Sequence, residues 1–363
     1  MKRILTIATA ILLASAGSVW ARETVKASDS RITFVGRTAV SEGAVSFDWS
    51  GVYAHIAFEG TRLEMQCSDT RANYFNVWID KQMLPRHDFV VKTEGTKTIV
   101  LAEKLKKGLH EVTIQKRSEG EQGTVSIESF STDGAFAAAS PRKARHIEFI
   151  GDSYSCGYGT ESAGRDEPFR AEEENCNLSY DCIIGRYFDA DVSLVCHSGL
   201  GIVRNYDDDK TYSTMTVKYS QTFDQHSEAQ WDPADGGYTP DIVVVYLGTN
   251  DFSTSRQPSF ALWSSNYCTL LGKVRAFYGN DVPILCVASN ADPLMGEYVE
   301  WAVASSGIKN VSWTSILSGA HNLTTDLGAS WHPNYNGMRK VAACIIPYIA
   351  TLTGWDMPLK AIE

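Results

Sequence analysis

The feature that most limits the possible folds is a change of hydrophobic period near residue 145. Before it, apolar and polar residues alternate over short runs. Val52, Ala54, Ile56 and Phe58 alternate with Tyr53, His55 and Ala57; Phe75, Val77 and Ile79 with Tyr74, Asn76 and Trp78; Val112 and Ile114 with Glu111, Thr113 and Gln115. Successive side chains of a strand point to opposite faces, so a period of two broken by Gly and charged turns indicates half-buried antiparallel strands. After residue 145 the runs are short and continuously apolar: 146–150, 193–196, 242–247, 284–288 and 311–313. Such runs fit parallel strands buried on both faces. Helical stretches at 178–188, 267–277, 295–304 and 335–352 separate or follow them. The expectation is an all-β sandwich of jelly-roll type over 25–135, a linker before Arg145, and an α/β domain over 145–355 with helices on both faces of a parallel sheet.

The length of 363 residues agrees with two domains of roughly 150 residues each. The formal charge is −10 and no Lys/Arg-rich run occurs, which argues against nucleic acid or an anionic membrane as partner. Lys2 and Arg3 precede a mostly apolar stretch, Ile4 to Leu13, and Val19-x-Ala21 has the spacing of a cleavage site. Residues 1–21 therefore read as a signal peptide removed after about Ala21, too short in its apolar part to span a bilayer. A secreted or periplasmic monomer is the resulting expectation. Eight cysteines occur without a C-x-x-C pair, and Cys176 with Cys182 is the best candidate bridge. The eight histidines show neither H-x-H nor H-E-x-x-H spacing, so no metal and no cofactor is expected.

In a parallel sheet, ligands bind beyond the carboxyl ends of the strands. Four short blocks fall there in order: Gly151-Asp152-Ser153, His197-Ser198-Gly199-Leu200-Gly201, Gly248-Thr249-Asn250-Asp251 and His332-Pro333. Each is weak alone, and together they form a strong signal. The blocks resemble those of the SGNH (GDSL-type) hydrolases, over roughly residues 145 to 352. The runs from Gly151 to Gly159 and from Ser198 to Tyr206 are similar to carbohydrate esterase family 2, whose members carry an N-terminal jelly roll before a flavodoxin-like hydrolase domain. The resemblance implies removal of acetyl groups from polysaccharides such as xylan and glucomannan, with a preference for 6-O-acetyl hexoses.

The resemblance also implies roles. Ser153 is the expected nucleophile and His332 its base, then the acid for the departing alcohol. The expected oxyanion donors are the Ser153 N–H, the Asn250 amide and an N–H of Gly199 or Gly201, with Gly201 favoured. Many SGNH hydrolases carry an Asp three positions before the His, and here that position is Ala329. A Ser153–His332 dyad is therefore expected, with the carbonyl of Ser330 or a neighbour on the imidazole and Asp326 as the alternative. Trp331, Tyr158 and Trp231 are candidate sugar contacts. Asp152, Asp251, Arg204 and Asn205 fit loop anchoring, and His197 a supporting position. The stretch from Tyr206 to Pro240 is long for a loop and is expected to shape the substrate cleft.

Overall fold

The computed structural model describes residues 22–207 and 213–363. The expected signal peptide, residues 1–21, lies outside the described residues. The first unit holds ten strands: β1 (Glu23–Lys26), β2 (Thr33–Val35), β3 (Ala39–Ser41), β4 (Ala44–Phe47), β5 (Tyr53–Gly60), β6 (Leu63–Ile79), β7 (Phe89–Ala102), β8 (Gly108–Lys116), β9 (Val125–Thr132) and β10 (Ala135–Ala137). All their pairings are antiparallel, as the alternation requires. They form one hydrogen-bonded sheet in the order β10-β5-β8-β6-β9-β4-β3, with β1 on β9, β2 on β5 and β7 on β6. Strand β6 changes partner along its length: its first part pairs with β9 and its last part with β8. Register shifts at Gln66/Cys67 and Asp69/Ala72 accompany the change. The β-domain is thus one continuous antiparallel sheet closing over a core that includes Phe47, Phe58 and Phe75.

The second unit alternates strands and helices: β11 (His146–Gly151), α1 (Ser153–Cys156), α2 (Tyr180–Phe188), β12 (Asp191–Cys196), α3 (Met215–Lys218), α4 (Pro233–Gly236), β13 (Ile242–Tyr246), α5 (Phe260–Tyr278), β14 (Ile284–Ala288), α6 (Met295–Ser305), β15 (Val311–Ser315) and α7 (Tyr335–Thr353). The sheet is parallel, in the order β12-β11-β13-β14-β15. Both faces are covered. Ile242, Val244 and Tyr246 of β13 face the cluster formed by α2 and α7, and Val243 and Val245 face the one formed by α5 and α6. Each fully buried aliphatic side chain contributes about 1.5–3 kcal/mol, which explains runs with no polar alternate. Because β11 lies between β12 and β13, the chain leaves it in opposite directions, and a crevice opens at the carboxyl ends of β11 and β13.

Helix α5 starts at Phe260, earlier than the expected Tyr267. Ser259 caps it, accepting from Leu262 N–H at 3.4 Å, and exposed Leu262 blurs the period of the first turns. Among the described residues no helix is long and apolar enough to cross a membrane. All eight cysteines are free thiols; Cys176 and Cys182 touch inside the core and are not bridged.

The two units pack against each other along a seam. Tyr53 is buried although it sits in the polar phase of β5, because it meets the second unit. Tyr53 Oη donates to Asp191. Gly51, at φ +76°, lies so close to Leu194 that a Cβ there would stand 2.8 Å from the leucine. Within the 206–240 stretch, exposed Tyr206 bonds through its N–H to Gly199 O at 2.7 Å, at the candidate site, and residues 219–225 strap the seam. Buried Arg37 donates to the Tyr219 and Gln221 carbonyls at 2.5 and 2.9 Å, Trp49 Nε1 donates to Thr222 O at 2.9 Å, and Asp48 accepts the N–H groups of Asp224 and Gln225 at 2.7 and 3.0 Å.

Candidate active site

Ser153 is the first residue of α1, directly beyond β11. Asp152 caps the helix by accepting Tyr154 N–H at 3.1 Å, which fixes the turn that presents Ser153. Across the crevice, His332 sits between a tight turn and α7. Asn334 caps α7 by accepting the N–H groups of Asn336 and Gly337, so the segment carrying His332 is anchored at the helix end. His332 Nε2 lies 2.8 Å from Ser153 Oγ. Its Nδ1 lies 3.1 Å from Ser330 O and 3.3 Å from Ala329 O. Two carbonyls on Nδ1 require its proton there, leaving Nε2 free to accept from the serine.

Two consecutive non-glycine residues with positive φ, Ser330 at 51° and Trp331 at 64°, turn these carbonyls toward the ring. Their N–H groups are held by Glu167 O and Arg165 O at 3.0 and 3.1 Å. Ala329 is fully buried against Gly159, where a Cβ would come within 2.6 Å of the alanine methyl. Burial lowers His332 from 6.5 to about 4, and the two carbonyl contacts oppose that fall.

Asn250 Nδ2 donates to Leu200 O at 2.9 Å and lies 3.3 Å from Asp152 Oδ2, which ties the third block to the first and second. Of the two glycines, Gly201 gives its N–H to Asn205 Oδ1 at 3.2 Å, while the Gly199 N–H has no acceptor among the described residues. Gly199, at φ +79°, is therefore the one left open, and the preference for Gly201 does not hold in this conformation. Asp251 accepts the N–H groups of Ile202, Val203 and Arg204 at 2.8, 2.8 and 3.1 Å and fixes this loop. Arg204 anchors on Asp251 O and Ser253 O at 3.0 and 2.9 Å. Burial raises Asp152 to about 7 and Asp251 to about 6. His197 pairs with Asp224 at 2.6 Å.

Three expectations change. Asp326 is not on the imidazole: it accepts from Asn322 N–H at 2.6 Å and from Lys340, whose ammonium holds it away from the ring. Tyr158 is a support for the base and not a sugar platform. Its ring stacks on His332 at 4.1 Å and on Phe169 at 4.4 Å, so both faces are used. Trp231 is buried over Arg37, 5.3 Å from the guanidinium carbon, and offers no surface to a ligand. Trp331 stands out at 53% exposure beside Ser330, with Arg165 4.2 Å from its ring centre. Glu119 escapes the sequence reading altogether. It belongs to the β-domain, yet its Oε2 accepts Ser198 N–H at 2.7 Å; no spacing within the four blocks points to it. A cavity of about 1300 Å³ lies elsewhere in the molecule, lined by residues such as Tyr53, His110 and Tyr187, and includes neither Ser153 nor His332.

Residues 34–141 match the carbohydrate esterase 2 N-terminal domain, and residues 149–340 match the GDSL-like lipase/acylhydrolase family. The cellulase/esterase CelE of Acetivibrio thermocellus is 30% identical over 315 residues, 85% of this chain; the alignment spans 38% of that relative's length. An acetylxylan esterase / glucomannan deacetylase of Cellvibrio japonicus is 27% identical over 329 residues, 85% of this chain and 86% of the relative. The structure of a family two carbohydrate esterase from Clostridium thermocellum in complex with cellohexaose superposes with a TM-score of 0.81 at 29% identity, covering 90% of this chain and 100% of that one. The chain belongs to the GDSL-like lipase/acylhydrolase family, in the two-domain form of the family 2 carbohydrate esterases.

Proposed function

We propose that the protein is a secreted serine esterase that removes O-acetyl groups from plant polysaccharides, xylan and glucomannan among them, through an acetyl-enzyme. The carrying observation is the 2.8 Å contact between Ser153 Oγ and His332 Nε2 at the switch point of the sheet. Ser153 attacks the acetyl carbonyl while His332 takes its proton. The N–H groups of Ser153 and Gly199 and the Asn250 amide are the donors for the tetrahedral oxyanion, Asn250 turning from Leu200 O to reach it. The imidazolium then protonates the leaving sugar hydroxyl. Water repeats the sequence on the acetyl-enzyme. Ser330 and Ala329 carbonyls keep the imidazole in the working tautomer in place of a carboxylate. The names of the relatives, which speak of acetylxylan and glucomannan, support the substrate class.

The test is acetate release from acetylated glucomannan and acetylated xylan, beside a long-chain aryl ester. Release from the glycans above the long-chain ester is the expected result. Preference for the long-chain ester would reassign the substrate to lipids. Trp331 gives a second check. Its exposed indole beside Ser330 is the open sugar platform of the site. Trp331→Ala is expected to lower kcat/KM on polysaccharide about tenfold, mainly through KM, and to affect a small aryl acetate much less.

A further inference from the structure

The open Gly199 N–H belongs to a tight turn. Leu200 N–H donates to His197 O at 3.3 Å, and within the turn only Gly199 has positive φ, at 79°. A closed four-residue turn with positive φ at its third position alone is of type II. Its central peptide, between Ser198 and Gly199, carries the N–H in question. The type I form of the same turn differs chiefly in the orientation of that peptide and would point the N–H the other way. Contacts outside the turn therefore select which side the donor faces.

Two such contacts hold the first half of the turn. Ser198 N–H donates to Glu119 Oε2 at 2.7 Å. His197 Nδ1 donates to Asp224 Oδ2 at 2.6 Å, and Asp224 is 1% exposed. Asp224 lies in the strap along the seam and is fixed from several sides. Its N–H donates to Asp48 Oδ1 of the β-domain at 2.7 Å. Lys218 Nζ donates to its Oδ1 at 2.9 Å and to its carbonyl at 2.6 Å, and Gln225 Nε2 donates to its Oδ2 at 2.8 Å. Gly120 of the β-domain packs directly on the carboxylate: a Cβ there would stand 2.3 Å from Asp224 Oδ2. His197 thus cannot swing away without taking a donor from a buried carboxylate.

We propose that His197, held by Asp224, is a positioning residue of the esterase: the pair keeps the 197–200 turn in the form that presents Gly199 N–H to the oxyanion. This rests on the Ser153–His332 reading above and on Gly199 as an oxyanion donor. Neither His197 nor Asp224 touches the reacting atoms. A donor aimed in advance favours the transition state over bound substrate, so its loss falls on kcat and not on KM. Because Asp224 is bonded to Asp48, the docking of the β-domain reaches the oxyanion donor along this path.

The experiment compares wild type, Ser153→Ala, His197→Asn, His197→Phe and His197→Ala of the mature two-domain protein. It measures kcat and KM on 4-nitrophenyl acetate, inhibition by methylboronic acid, and thermal unfolding. The boron of that inhibitor takes the Ser153 oxygen, the serine proton passes to His332, and a boron-bound oxygen occupies the oxyanion position. Asn places an amide N–H where Nδ1 stands and keeps the donor to Asp224; Phe keeps the bulk without the donor; Ala removes both. For His197→Phe and His197→Ala the expected result is kcat lowered about tenfold or more with KM within about twofold, and the inhibition constant of methylboronic acid raised by a similar factor. His197→Asn is expected to stay within about threefold of wild type in both readouts. Phe and Ala variants with wild-type kcat and inhibitor affinity overturn the proposal. So do losses confined to the unfolding temperature, or an Asn variant that falls as far as Phe and Ala. If the wild type hydrolyses nothing, or Ser153→Ala stays active, the esterase reading itself fails and takes this one with it.

Discussion

Replacing Ser153 by alanine is expected to lower the rate of acetyl-ester hydrolysis by about four orders of magnitude, about 5.5 kcal/mol of transition-state stabilisation. The effect is large because the acetyl-enzyme route disappears with the hydroxyl. Residual catalysis comes from oxyanion donors and bound water, which the substitution leaves in place. The fold should tolerate it. The Asp152 cap bonds to Tyr154 N–H and does not use the serine hydroxyl. Unfolding temperature is therefore expected to stay near wild type, which separates loss of the nucleophile from loss of the protein.

The second large effect is at His332. His332→Ala is expected to cost about 10³ to 10⁴ in kcat, since Ser153 then has no base and the leaving alcohol no acid. The same residue sets the pH dependence. Neutral imidazole is the working form. Desolvation beneath Tyr158 favours that form and lowers the group from 6.5 to about 4. Activity should therefore persist as the pH falls below 6.5 and decline only toward about pH 4, as the ring takes up its proton. A kcat/KM profile on a small acetate ester measures this. An acid limb at or above 6.5 would mean that burial does not control the base.

How much of this the sequence carries depends on the kind of contact. The four fully buried strands, the half-buried edge strand β15 and the four loops beyond the sheet are legible from local pattern, because a parallel sheet forces apolar runs and gathers the loops beyond them at one rim. The missing acid at Ala329 is equally local. Two carbonyls on Nδ1 need positive φ at Ser330 and Trp331, and neither is a glycine that would announce it. Tyr158 reads as a sugar contact because an aromatic near a serine fits both roles; only its neighbours on each face decide. Trp231 reads as a sugar contact, whereas the docking of two domains buries it, and residues 219–225 of the same stretch strap that docking surface. Glu119 cannot be read at all. Its partner Ser198 is distant in the chain, and a charged residue between two antiparallel strands reads as an ordinary surface turn.

The most direct test is acetate release from one acetylated glucomannan preparation by wild type and Ser153→Ala, both checked for the same unfolding temperature. Acetate released by the wild type, and release reduced at least about a thousandfold in the variant, is the predicted result. A variant that folds like the wild type and still releases acetate at a comparable rate would contradict the assignment of Ser153 as nucleophile.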